Sequence, residues 1–353
     1  MNRQGRLLLS IAIPVLLLII VGALYLRQQQ VSATAGVKVT PAATCHGQLT
    51  PLKLALDWTP NTNHTGIYVA REKGWYAAQC LSLTILPYSN VSPDTLVSSG
   101  QATVGISSTE SIVADSAVNQ PVVSIGAIIQ HNTSALVSLA SSSLKRPDDF
   151  DGKIYGGFGA PYEAAVVGSI IRQDGGKGTF KNVTLSIDTM QALETRKIDF
   201  AWVFEGWEVI QAQRDGFPLN VFPITSYGIP DYYTPNLITS SQEISQHADL
   251  LQRFMTATSQ GYTYAITHAH EAAQLLINGA PQGTFPDQGL VFASQDFVSG
   301  HYVDKGRKWG WQDVTTWHGY PGFMLSNQAI LDANNKPLKS MNFDTLYTNQ
   351  FIN

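Results

Sequence analysis

Apolar and polar positions fall into short blocks with two different periods. Leu52 to Asp57 reads as a strand, and Leu81 to Leu86 alternates strictly, as a strand with one buried face does. Ala102 to Ile106 and Val122 to Gln130 are further apolar runs of strand length. Between them, Gly66 to Tyr76, Asp94 to Ser99 (closed by Gly100) and Glu110 to Val118 carry helical spacing. Strand–helix alternation of this kind predicts an α/β unit with a largely parallel sheet.

The pattern then restarts. Lys153 to Gly156 reads as a strand, followed by a glycine-rich loop and a helix from Tyr162 to Gln173. Val183 to Ile187 is a strand, Met190 to Thr195 a helix, and Phe200 to Phe204 another strand. The last third is mostly helical, with helices at Leu250 to Thr267, Glu271 to Ile277 and Asp287 to Val298. The expected layout is therefore two α/β lobes with a ligand cleft between them. Residues 51–140 and 241–353 form the first lobe and 141–240 the second. Ligands of open α/β sheets bind outside the carboxyl ends of the strands, so the segments after each strand are the informative ones.

Composition narrows the class. The chain has 353 residues, of which 14% are charged, with a formal net charge of −4. It holds no basic block, so nucleic acid is not an expected partner. Leu7 to Leu26 is uncharged and long enough to span a bilayer, with Arg3 and Arg6 before it. Residues 1–27 thus read as a transmembrane anchor, with a cleaved signal segment as the alternative, given small residues around Ser32 and Ala35. Residues 28–50 read as a linker. Either way the folded part is expected on the extracytoplasmic side. The two cysteines, Cys45 and Cys80, lack metal or redox spacing; a disulfide between them is favoured over two buried thiols in that oxidising compartment.

The segments after the strands carry candidate binding chemistry. The run from Asp57 to Gly66 supplies Asp57, Trp58, Asn61 and His64, a carboxylate, an indole, an amide and an imidazole ahead of a helix. An aromatic plane with several directional polar groups suits a flat polar heterocycle; helix capping accounts for one of them. Glu110 follows a strand, either as a site residue or as an acid favoured by a helix start. Phe158, Tyr162 and Glu163 surround a glycine-rich turn that lets a backbone approach a ligand. Around Trp202 and Glu205 an aromatic strand ends; some of its rings must be core. Catalysis finds little support. His64 and His131 have no evident Asp or Ser partner set, no G-x-S-x-G occurs, and the eight histidines lack zinc spacing.

The run from Leu56 to Ala70 resembles the opening motif of the thiamine-pyrimidine-synthase-like binding proteins of ABC importers. The likeness extends through Lys73 to Tyr76, Gly105 to Ser107 with Glu110, Tyr155 to Glu163, Asp199 to Trp207, and Lys308 to Trp311 with Trp317. Within that family it is similar to the binding proteins for thiamine pyrimidine precursors. The resemblance implies a periplasmic-binding-protein type II fold and a formylaminomethyl- or hydroxymethyl-pyrimidine ligand. It further implies delivery to ABC permease subunits and no cofactor. Relatives that synthesise the pyrimidine use a histidine and a lysine that holds pyridoxal phosphate; Ser111 and Ser107 stand at the matching positions. The resemblance also implies glycine where Cys80 stands. The alternatives it leaves are a pyrimidine synthase, a sulfonate or nitrate binder, and a sensor with the same binding role.

Overall fold

A computed structural model describes residues 45, 48–120, 122–185 and 188–352. The segments read as anchor or leader and most of the linker lie outside these residues. Among the described residues, no helix is long and apolar enough to cross a membrane.

Among the described residues, ten strands form two five-stranded sheets. The first contains β1 (Thr50–Ala55), β2 (Leu81–Leu86), β3 (Val104–Ser107), β4 (Val122–Ala127) and β10 (Asn236–Ser240), in the order β2-β1-β3-β10-β4. The second contains β5 (Ser134–Leu139), β6 (Ile154–Gly157), β7 (Lys181–Thr184), β8 (Phe200–Phe204) and β9 (Leu219–Pro223), in the order β7-β6-β8-β5-β9. Three strands in each sheet pair in parallel, and the fourth position is taken by an antiparallel strand. That antiparallel strand, β5 or β10, is in each case the first one after the chain crosses from the other sheet.

This arrangement moves the expected lobe boundaries. Ser134 to Leu139 pairs in the second sheet although it precedes residue 141, and Asn236 to Ser240 pairs in the first although it precedes residue 241. Both strands join a sheet remote in sequence, which local periodicity cannot report. The helix expected from Gly66 to Tyr76 is broken at Gly74, whose φ of +71° starts a new short helix, Trp75–Ala78. A helix not anticipated, Val314–Ser326, buries Trp317 and Tyr320 against the first lobe.

Apolar burial explains the pairing. In β1, Leu52 and Leu54 are buried while Lys53 is exposed. All of β4 and all of β10 are buried, as strands covered on both faces are. The helix Thr65–Glu72 packs closely across the long helix Ala248–Thr267. A Cβ on Gly261 would stand 1.9 Å from the Gly66 carbonyl oxygen, and one on Gly66 would stand 2.3 Å from the Tyr262 ring. Only glycine permits this crossing.

The two crossing segments, residues 128–133 and 224–235, run side by side. Ile128 N–H donates to the Pro235 carbonyl at 3.0 Å. His131 sits between two carboxylates, with Nδ1 2.5 Å from Asp231 and Nε2 2.6 Å from Asp304. Two nitrogens facing two carboxylates favour the doubly protonated ring, and these partners raise the His131 pKa above 6.5 despite an opposing effect of burial.

Cys45 and Cys80 form a disulfide with Cα atoms 5.3 Å apart. Cys80 has a φ of +57°, a left-handed conformation that suits the glycine the resemblance implies at this position, and the disulfide is what the cysteine adds in its place. The bridge closes a loop of 35 residues in sequence separation, worth about 3–4 kcal/mol on chain-entropy grounds. Cys45→Ala should lose most of that in denaturant unfolding. Adding Cys80→Gly should then recover about 1 kcal/mol, because it relieves the left-handed residue. Equal stability of the oxidised wild type and Cys45→Ala would refute the bridge's role.

The His131 cluster gives a second expectation. Because the folded pKa is raised, its contribution is complete below about pH 6 and fades as pH rises through the folded value. His131→Gln keeps hydrogen bonds without the charge. Wild type should therefore exceed the variant in stability at about pH 6 and lose that margin by about pH 9. The ring is half exposed, so the margin should stay within about 1 kcal/mol. A margin that does not change with pH would count against the charged cluster.

Candidate functional site

A cavity of about 480 Å³ opens at the carboxyl ends of the parallel strands, between the two sheets. Segments after β1, β2 and β3 line one side; segments after β6 and β8 line the other. Asp57, Trp58, Asn61, Glu110, Phe158, Tyr162 and Trp202 all line it, so most of the residues singled out from sequence converge.

The segment after β1 is held from below. Asn61 N–H donates to His64 Nδ1 at 3.2 Å, so the neutral ring carries its proton on Nε2 and donates to Asp57 Oδ1 at 2.8 Å. Asn61 Oδ1 accepts from Asn63 N–H at 2.9 Å, capping a short helical turn. The Tyr262 hydroxyl donates to the Asn63 carbonyl at 2.6 Å, and the Tyr302 hydroxyl to the Thr62 carbonyl at 2.5 Å. His64 is therefore fully buried and is not among the lining residues. It orients Asp57, with both ring nitrogens engaged.

Glu163 lies outside the lining too. Its carboxylate accepts from Tyr155 Oη at 2.9 Å, from Phe158 N–H at 3.1 Å and from Ala160 N–H. A Cβ on Gly157 would stand 2.1 Å from Glu163 Oε2, so glycine there makes room for the carboxylate and not for a ligand. Burial raises the Glu163 pKa, and these hydrogen bonds oppose it. Glu205 also falls outside, because the chain after β8 enters a wide helical turn, Glu205–Val209, that brings Glu208 to the cavity instead. Glu208 Oε2 folds back to accept from Phe204 N–H at 3.0 Å, and burial raises its pKa.

Sequence reading missed Glu208, Asp94 and Tyr88. The last two follow β2, and the rule about strand ends applies to that strand as it does to the others. Asp94 is 5% exposed and accepts from Ser107 Oγ at 2.6 Å. It adjoins Asp115: burial and then the neighbouring Asp94 raise the Asp115 pKa to about 8, whereas Asp94, raised by burial, is lowered by its hydrogen bonds with Ser107 and Asp115. This favours one proton shared by the pair and carried on Asp115. Glu110 is 3% exposed. Its Oε1 accepts from the hydroxyls of Tyr232 and, at 3.4 Å, Tyr320, whereas Oε2 has no partner. Burial raises its pKa as well.

Aromatic rings face the cavity from both lobes. Trp58 and Tyr88 lie 5.0 Å apart on the first lobe; Phe158 lies 6.2 Å from Tyr162 and 6.4 Å from Trp202 on the second. Trp58 and Phe158 are 54% and 59% exposed, an unusual solvation of large rings that a bound planar ligand would relieve. Four carboxylates, Asp57, Asp94, Glu110 and Glu208, line the same space, and no lysine, arginine or histidine does among the described residues. The arrangement can stack a flat ring and accept hydrogen bonds from it. It offers no cation to an anion and no lysine for a Schiff base; Ser107 and Ser111 are both lining residues.

Comparison with known proteins agrees with this architecture. The chain is 23% identical over 284 residues to a formylaminopyrimidine-binding protein of Halalkalibacterium halodurans, covering 79% of this chain and 86% of that one. It is 25% identical over 262 residues to a 4-amino-5-hydroxymethyl-2-methylpyrimidine phosphate synthase of Legionella pneumophila, covering 72% of this chain and 82% of the relative. Its fold matches the periplasmic aliphatic sulphonate binding protein SsuA of Escherichia coli with a TM-score of 0.59 at 11% identity, over 83% of this chain and 94% of that one. The fold is thus that of the periplasmic binding proteins, of type II topology. Residues 61–272 match the family model described as NMT1/THI5 like, and the chain belongs to that family.

Proposed function

We propose that this protein is the extracytoplasmic solute-binding component of an ABC importer and that it holds a 4-aminopyrimidine precursor of thiamine in the cleft. The observation that carries the reading is the cavity's composition: aromatic rings from both lobes, four carboxylates and, among the described residues, no cationic side chain. An aminopyrimidine is a planar ring that stacks between aromatics and donates from its amine to carboxylates. The relative from Halalkalibacterium halodurans, named for such a ligand, supports the choice. Lobe closure about the two crossing segments would bury the ligand and present the closed form to permease subunits. The N-terminal segment would hold the protein at the membrane face.

Two other readings meet specific obstacles. Sulfonates and nitrate need arginine, lysine or free N–H donors, and the E. coli sulphonate binder shares with this chain the fold alone. A pyrimidine synthase on the family pattern needs the lysine and histidine that Ser107 and Ser111 replace. His64, the histidine in the opening motif, has both nitrogens committed to structure.

Melting temperature should rise with 4-amino-5-hydroxymethyl-2-methylpyrimidine or its formylaminomethyl analogue, and not with taurine, nitrate or pyridoxal phosphate. Ligand at ~100 times its dissociation constant should add ~2.7 kcal/mol of stability. A response to taurine or nitrate with silence toward pyrimidines would overturn the ligand assignment. Thiamine in the same panel tests how large a substituent the cavity accepts.

Trp58→Ala and Trp202→Ala should each weaken pyrimidine binding by about tenfold or more, since a base–aromatic stack is worth about 1–3 kcal/mol. Glu163→Gln should instead lower thermal stability, with a smaller change in affinity. Titration calorimetry of the three variants separates these roles; unchanged affinity in both tryptophan variants would refute the stacking geometry.

A further inference from the structure

Glu110 differs from the other lining carboxylates in how its two oxygens are used. Oε1 is taken by the hydroxyls of Tyr232 and Tyr320, whereas Oε2 is buried without any partner. Tyrosine hydroxyls donate here, so a proton on this carboxyl belongs on Oε2. The groups packed around it are Tyr232 from the second crossing segment, Tyr320 from the helix Val314–Ser326, Tyr162 at the turn after β6, and Ser108. Asp57 and Asp94 stand on the same wall of the cavity, and Glu208 stands on the opposite one. None of these is a cation that would stabilise a carboxylate. An ionised, unpartnered oxygen in such a place is costly, and protonation removes that cost.

We propose that Glu110 is a specificity residue of the cavity, acting as a carboxylic acid whose Oε2–H is donated to a ring nitrogen of a neutral, aminated heterocycle. A second polar atom favours the same ligand class. Ser134 Oγ is buried, unpartnered and part of the same lining, and it can accept from an amine adjacent to that ring nitrogen. A heterocycle with an acceptor nitrogen beside an amino group satisfies both atoms at once; one lacking the ring nitrogen leaves the acid proton unsatisfied. Burial raising the Glu110 pKa agrees with the acid form. The inference rests on the pyrimidine reading above and specifies the proton inventory of that same site.

The count of protons makes it testable. Where Glu110 is already protonated, a neutral ligand binds with no net proton exchange. Above its titration the empty site is a carboxylate, and forming the complex takes one proton from solvent. If the proton passes fully to the ring nitrogen, the count is the same. Affinity should then be level at lower pH and fall by about tenfold per pH unit above the titration of Glu110.

The experiment is titration calorimetry of the full-length protein with 4-amino-5-hydroxymethyl-2-methylpyrimidine from about pH 6 to about pH 9. Two buffers of different ionisation enthalpy give the proton uptake directly. Wild type should approach uptake of one proton at alkaline pH; Glu110→Gln should bind more weakly, with a flat pH profile and no uptake. An analogue with the ring nitrogens replaced by C–H should lose about tenfold or more against wild type and show no linkage. Proton-independent binding by wild type, or a slope that persists in Glu110→Gln, would overturn the role of Glu110 while leaving the pyrimidine reading intact. Absence of pyrimidine binding at every pH would overturn both. The wild-type proton count stands even if the variant fails to fold.

Discussion

The position of the segment after β1, which carries Asp57 and Trp58 into the cleft, depends on one backbone crossing. Gly66 and Gly261 bring two helices together so closely that no side chain fits between them. This contact fixes the start of the helix Thr65–Glu72 and hence the end of the segment that precedes it. Tyr262, next to Gly261, reaches back to the Asn63 carbonyl, and Tyr302 does the same for Thr62. The backbone carbonyls of an irregular segment are thus satisfied by two buried hydroxyls rather than by water. His64 then transmits that fixed position to Asp57. The ligand-facing carboxylate is held through a chain of contacts that begins in the core, which limits the reorganisation a ligand must cause on that wall.

Electrostatics in the cleft works against the empty state. Asp57, Asp94, Glu110 and Glu208 share one cavity without a counter-charge among the described lining residues, and burial raises the pKa of Asp94, Glu110 and Glu208. Such a site is tolerable if protons are retained on some carboxyls or if a ligand brings donors. Both remedies select for the same chemistry, a neutral or weakly basic molecule rich in N–H. The exposed rings of Trp58 and Phe158 act in the same sense, since they lose solvent contact only when something flat lies between the lobes. The helix Gln288–Ser299 connects the two walls: Ser294 Oγ meets Thr62 of the first-lobe segment at 2.6 Å and donates to the Gly206 carbonyl after β8. Arg214 and Asp287 add an ion pair at 2.7 Å between the same regions.

Much of this was legible in the sequence, and the exceptions have a common cause. β2 and β8 fall where alternation and aromatic spacing place them, because both patterns are local. β5 and β10 escaped, or were placed in the wrong lobe, because their partners lie far away in the chain. The same division holds in the site. Asp57, Trp58, Asn61, Glu110, Phe158 and Tyr162 follow strand ends and Trp202 lies within β8, properties readable from the chain, and they converge. Whether a polar side chain turns toward the ligand or toward its own loop is not readable that way. Glu163 satisfies the N–H groups of its glycine-rich turn, and His64 satisfies Asn61 and Asp57; in both cases a local hydrogen bond won over the cavity. Glu208 replaced Glu205 because the turn after β8 is wider than an α-helical one.

Membership of the fold does not decide the ligand. The E. coli sulphonate binder and this chain share a fold, yet an anion and an aminated ring ask opposite things of the loops that line a cleft. An anion calls for cations and converging N–H donors. Here the N–H groups of Phe158 and Ala160 in the turn after β6 are already bound to Glu163, and the His64 ring is bound to Asp57. The carboxylates therefore act twice: some occupy the donors an anion would need, and others present acceptors to the cavity. That double use is why changing a single lining residue to arginine would not create a sulfonate site, since the turn after β6 would still have its donors engaged by Glu163.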